Sequence, residues 1–105
     1  MSEVSTRVLV TGSARGLGLE LVRHFSGKLP EGSIVIATSR KPSPELEAVV
    51  NNAKNVVFVA LDVSSEASIL QSVKTAKDIV GEKGLDILVN NAGAHSSTDG
   101  GISNM

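Results

Sequence analysis

Residues Thr11-Gly12-Ser13-Ala14-Arg15-Gly16-Leu17-Gly18 place three glycines in one short stretch, spaced T-G-x-x-x-G-x-G. Glycine lets a backbone turn through conformations closed to other residues and lie close to a ligand with no side chain between. An apolar run, Val8-Leu9-Val10, precedes the stretch, and Leu17, Leu21 and Phe25 follow at fourfold spacing with Val22 beside them. A glycine turn that opens a helix presents unpaired N–H groups and the positive end of the helix dipole, which suits an anion such as a pyrophosphate. Taken alone, the same glycines also fit a plain strand-to-helix turn, because their spacing is not the G-x-G-x-x-G fingerprint.

Three further groups stand at equivalent places. Thr38-Ser39-Arg40-Lys41 closes a second apolar run, Ile34-Val35-Ile36-Ala37. Asp62-Val63 follows a third, Val56 to Leu61, and Asn90-Asn91-Ala92-Gly93 follows a fourth, Leu85 to Val89. Each has a plainer reading beside the functional one: Arg40 and Lys41 as a solvated charge pair before a helix, Asp62 as a solvated loop acid, Asn90 as a structural residue.

The elements that must position these groups alternate regularly. The apolar runs are short and rich in β-branched residues, as strands buried on both faces are. Between them lie helical patterns. The first runs from the glycines to near Gly27 and Pro30. The second has Ser43 as N-cap, Pro44 at its first position, and Leu46, Val49, Val50 and Ala53 on one face. The third carries a stripe of Ile69, Val73, Ala76 and Val80 and ends at Gly81 or Gly84. Strands joined through helices pair in parallel by right-handed crossovers. The expectation is therefore an α/β, Rossmann-like, doubly wound parallel sheet of about four strands with three helices, in the order 3-2-1-4. In that order the chain switches direction between the first and fourth strands, where ligands collect at the carboxyl ends.

Composition narrows the functional classes. A chain of 105 residues suits one small domain, expected over residues 1–93, with the polar, glycine-rich stretch 94–105 as a flexible tail. A chain of this size hides roughly 60–70% of its unfolded surface, so its stability margin is expected to be thin. Ten Lys and Arg against eleven Asp and Glu leave no basic field for nucleic acid or an anionic membrane. The absence of cysteine removes a disulfide framework, a thiolate metal site and a thiol nucleophile, and no metal site is expected. The first residues lack the apolar length of a signal peptide or membrane span, so a cytoplasmic location is expected.

Together these motifs resemble the short-chain dehydrogenase/reductase family over residues 1–93. Thr11, Gly12, Gly16 and Gly18 match its glycine motif, Asn90-Asn91-Ala92-Gly93 its N-N-A-G, and Asp62-Val63 its D-V pair. The resemblance implies that the aspartate accepts a hydrogen bond from the adenine amino group and that N-N-A-G supports the sheet and lines the cofactor cleft. It thus implies a cofactor site drawn from Thr11, Gly12, Ser13, Arg15, Gly16, Leu17, Gly18, Ser39, Arg40, Asp62, Val63, Asn90, Ala92 and Gly93. An acid about twenty residues past the glycines would bond the ribose 2′-hydroxyl of NAD and repel the 2′-phosphate of NADP. The chain has no such acid; Arg40 can fork onto a phosphate, with Ser39 beside it and Arg15 approaching from the glycine stretch, so NADP(H) is the expected cofactor. The wording Ala37-Thr38-Ser39-Arg40-Lys41-Pro42 is similar to that of carbonyl-reductase-like and C-factor-like members.

The family's chemistry uses a Tyr-x-x-x-Lys pair, and this sequence contains no tyrosine. His95, Ser96 and Ser97 lack a rigid frame and a third orienting group, and His24 is expected on the surface, so no catalytic residue is assigned. The expectation is the NADP(H)-binding portion of a longer oxidoreductase that reduces a carbonyl or oxidises an alcohol, inactive by itself. Two alternatives stand beside it. One is a non-catalytic dinucleotide-binding module whose open sheet edge pairs with a partner in a homo- or hetero-oligomer; the other is a shortened product that does not fold stably.

Overall fold

A computed structural model describes residues 5–91. Ala92, Gly93 and the tail expected over 94–105 lie outside the described residues. Four strands, β1 (Arg7–Val10), β2 (Ile34–Ser39), β3 (Val56–Ala60) and β4 (Ile87–Val89), form one parallel sheet in the order β3-β2-β1-β4. The register aligns Val8 with Val35 and Ile87, and Val35 with Val56. Helices α1 (Gly16–Lys28), α2 (Pro44–Asn52) and α3 (Glu66–Val80) make the crossovers, and a short 3-10 turn, Gly81–Lys83, follows α3. This is the doubly wound architecture expected from the alternation of apolar runs and helical patterns.

Strand side chains alternate between two cores, as the pleat requires. On one face Val8, Val10, Val35, Ala37 and Val56 pack beneath α1 and α2 through Leu19, Val22 and Leu46. On the other, Ile36 and Val59 meet Ala76 and Val80 of α3. Ser43 caps α2 as expected, its hydroxyl accepting from the Leu46 N–H at 3.0 Å, with Pro44 opening the helix. The end of α3 at Gly81, in a left-handed conformation, also matches the sequence.

Two helix faces differ from expectation. In α1 the inward line is Gly18, Leu19 and Val22, with Leu21 and Phe25 packed at its flank, while Leu17 is 64% exposed. The cause is the close approach of Gly18 to the glycine turn, described below, which fixes the rotation of the helix and turns Leu17 outward. In α3 the buried residues are Ser72, Ala76 and Val80; Ile69 and Val73, expected in the stripe, are exposed together with Leu70. The inward line, small at Ser72 and Ala76, packs with Val80 against Ile36 and Val59, and Ile69, Leu70 and Val73 lie on the exposed side of the helix. Leu88 on the edge strand β4 is likewise 62% exposed.

Candidate functional site

The described residues of the groups singled out in the sequence fall at the carboxyl end of the sheet. The glycine stretch joins β1 to α1, Ser39 and Arg40 end β2, Asp62 and Val63 follow β3, and Asn90 follows β4. Thr11 holds the centre. Its N–H donates to the Val89 carbonyl at 3.0 Å, and its hydroxyl accepts from the Asn91 N–H at 2.7 Å while lying 3.3 Å from the Asn90 side-chain oxygen. The Asn91 amide donates in turn to the Gly12 carbonyl at 3.3 Å. The turn after β1 and the turn after β4 are thereby one hydrogen-bonded unit.

Glycine is required in this unit for separate reasons. Gly12 and Gly16 have φ of 66° and 63°, the left-handed region that glycine alone enters cheaply. Gly18 lies in the helix, where a Cβ would meet the Gly12 oxygen at 2.0 Å and the Asn91 amide nitrogen at 2.9 Å. At Gly16 a Cβ would meet nothing within 4 Å, so the space beside it is open.

The opening turn of α1 is unlike that of the other long helices. Ser43 caps α2 and Ser65 caps α3, and both helices carry glutamate in the first turn. In α1, Arg15 stands at the N-cap with no side-chain cap bond, and the first turn holds no acid. Its leading N–H groups precede the first helical acceptor and point to the open side of the turn, with the dipole's positive end behind them. This donor set and the space at Gly16 fit a pyrophosphate.

Beside this seat, Ser39 and Arg40 project from the end of β2. The Arg40 side chain is exposed, and the Ser39 hydroxyl donates to the Lys41 carbonyl at 2.6 Å. Asp62 is half-buried, and its Oδ1 accepts from both the hydroxyl and the N–H of Ser64, at 2.6 and 3.0 Å. These bonds, assisted by the Arg40 charge, hold its carboxyl below the usual aspartate range. The associated stability is thus fully present above the ordinary aspartate pKa and is lost as pH falls through the lower folded value. Arg15, Leu17 and Val63 are exposed around the seat. Ser13 is fully buried and belongs to its framework.

Asn91, Thr38, Ser43 and Ser64 also shape the site, and the sequence did not single them out for it. For Asn91 the signal was present, since it stands inside N-N-A-G. Among the described residues no cluster of His, Cys, Asp or Glu could hold a metal ion, and no helix is long and apolar enough to cross a membrane.

Residues 6–104 match the model of the short chain dehydrogenase family. The chain belongs to that family. Family relatives include the (-)-isopiperitenone reductase of Mentha piperita, 42% identical over 100 residues covering 89% of this chain and 30% of that protein. The oxidoreductase BOA17 of Botryotinia fuckeliana is 42% identical over 85 residues, covering 80% of this chain and 29% of its own length. Among solved structures, the NADPH-bound carbonyl reductase from chicken fatty liver matches with a TM-score of 0.78 at 36% identity. That match covers 100% of this chain and 40% of the reductase. The chain thus spans well under half the length of these family members.

Proposed function

We propose that this chain binds NADP(H), and that it forms the cofactor-binding part of an oxidoreductase acting on a carbonyl or an alcohol. The observation that carries the reading is the uncapped, acid-free opening turn of α1 behind Gly16, with Arg40 where an NAD-binding site would place an acid. The pyrophosphate lies against the turn formed by Gly12 to Gly18, and Arg40 meets the 2′-phosphate. Arg15 adds charge from the loop. Asp62 and Val63 flank the adenine, and Asn90 borders the nicotinamide side. The NADPH in the related chicken carbonyl reductase, and in the L-sorbose reductase of Gluconobacter frateurii at 28% identity and a TM-score of 0.69, supports the choice of cofactor.

When bound, the cofactor supplies or accepts a hydride; the residues of this chain bind and orient it. Proton transfer to the substrate oxygen falls to groups outside this sequence, which has no tyrosine. Incubated with NADPH and a small carbonyl compound, the chain by itself leaves the NADPH unoxidised; steady turnover would contradict this division of labour.

Arg40→Ala tests the cofactor assignment. A hydrogen-bonded charge contact contributes about 1.5–3 kcal/mol. The variant is expected to bind NADPH about ten- to a hundredfold more weakly and NADH almost unchanged, in titrations followed by nicotinamide fluorescence at fixed salt. An equal loss for both cofactors, or none, would remove Arg40 from the site.

A further inference from the structure

Three buried or half-buried hydroxyls join the glycine turn to the end of β2 and the segment after it, and no part of the proposed cofactor contact accounts for them. Ser13 is fully buried, and its hydroxyl donates to the Val10 carbonyl at 2.7 Å and accepts from the Thr38 N–H at 3.2 Å. The Ser13 N–H donates back to the Thr38 carbonyl at 2.9 Å, so the two residues are bonded in both directions. Thr38, 1% exposed, sends its own hydroxyl to the same Val10 carbonyl at 3.1 Å. Val10 therefore accepts with both of its lone pairs. Further along, the Ser43 hydroxyl donates to the Ala14 carbonyl while accepting from the Leu46 N–H at 3.0 Å.

These bonds lie at both ends of one short piece of chain. Thr38 and Ser43 bracket Ser39, Arg40 and Lys41, and both are tied to consecutive residues of the glycine turn, Ser13 and Ala14. α1 and most of β2 separate the two segments in sequence; the β1–β2 pairing sets Val10 beside Ala37, and the hydroxyl bonds carry that spacing past the end of the sheet to the residues on either side of Arg40. Arg40 is exposed, yet the backbone that carries it is pinned on either side to the turn. Buried hydrogen bonds of this kind are costly to leave unmade, which makes the spacing rigid.

We infer that Ser13, Thr38 and Ser43 form a hydroxyl clamp that fixes the distance between the pyrophosphate seat and Arg40, and so positions the chain to discriminate a 2′-phosphate from a 2′-hydroxyl. The inference rests on the proposed NADP(H) site. The three are positioning residues: their hydroxyls are turned to the protein's own backbone. A cofactor that carries phosphate at both places must satisfy both sites at one spacing, whereas NADH needs only the first. Loosening the clamp therefore weakens NADPH more than NADH.

The test measures dissociation constants for NADPH and NADH with the 105-residue wild-type chain, Ser13→Ala and Ser43→Gly, together with the thermal midpoint of each without cofactor. Glycine at a helix N-cap costs only a few tenths of a kcal/mol against serine, so Ser43→Gly removes the bond to Ala14 with little loss of α2 and serves if Ser13→Ala does not fold. Ser43→Thr, which keeps the hydroxyl, is the rescue. The expected result is an NADPH constant raised about tenfold in Ser43→Gly with NADH changed far less, and a ratio restored in Ser43→Thr. A lower thermal midpoint with the NADPH-to-NADH ratio unchanged would overturn the clamp and leave the cofactor site standing. Failure of the wild-type chain to bind either dinucleotide would overturn the cofactor site, and the clamp's role with it.

Discussion

A methyl group at Gly18 would lie 2.0 Å from the Gly12 carbonyl oxygen, against backbone that no rotamer change can move aside. Overpacking of this kind costs about 1–3 kcal/mol, and here it would also part the Asn91 amide from Gly12. Gly18→Ala is expected to lower the urea midpoint clearly while leaving the sheet in place; an unchanged midpoint would show that the turn is looser than its geometry. At this scale the sequence was legible where residue type is the requirement. Within the turn after β1, Gly12 and Gly16, with φ above 60°, and Gly18, in close contact, are the three glycines of the T-G-x-x-x-G-x-G spacing. It was less legible where two like residues adjoin. Asn90 and Asn91 are equivalent in a string, but in the fold Asn90 meets the Thr11 hydroxyl, at 3.3 Å, whereas Asn91 bonds both Thr11 and Gly12. The hydroxyls of Ser13 and Thr38 gave no signal, because their partners are backbone groups brought near only by folding.

The elements divide in the same manner. The four strands could be read directly, since each is a short apolar run bounded by turn residues, although β4, at the edge, is left exposed at Ile87 and Leu88; the order β3-β2-β1-β4 is the one expected for parallel crossovers. The second helix was equally plain, with Ser43 and Pro44 marking its start and Leu46 its buried face. Periodicity placed α1 and α3 but misjudged their rotation. Fourfold spacing admits two neighbouring apolar lines, and which one faces the sheet is decided by how closely the backbone can approach, through Gly18 in one helix and Ser72 and Ala76 in the other. This gives a paired expectation. Leu46→Ala, at a fully buried site beneath α2, is expected to cost about 2–5 kcal/mol. Leu70→Gln, at a side chain 65% exposed on α3, is expected to stay within about 0.5 kcal/mol. Chemical denaturation of the two variants checks the rotation of α3; a large loss in Leu70→Gln would mean that its flank is covered.

Across the molecule, one parallel sheet gathers four turns at its carboxyl end, where the proposed cofactor site lies. The amino end is closed structurally: the Arg7 guanidinium bonds the Gly84 carbonyl at 2.7 Å and pairs with Asp86 at 2.9 Å, joining β1 to the turn before β4. The other end is arranged differently, with an uncapped helix start, an exposed Arg40 and open space at Gly16. Binding there couples directly to stability, because a ligand held only by the folded state raises its free energy of unfolding by about 2.7 kcal/mol at a hundred times the dissociation constant. Thermal unfolding of the chain, followed by circular dichroism without cofactor and with equal concentrations of NADPH and NADH, decides whether the site holds NADP(H). The expected result is a cooperative transition moved upward by NADPH and clearly less by NADH. Equal shifts would contradict the assignment of NADP(H), and no shift with either would contradict a dinucleotide site.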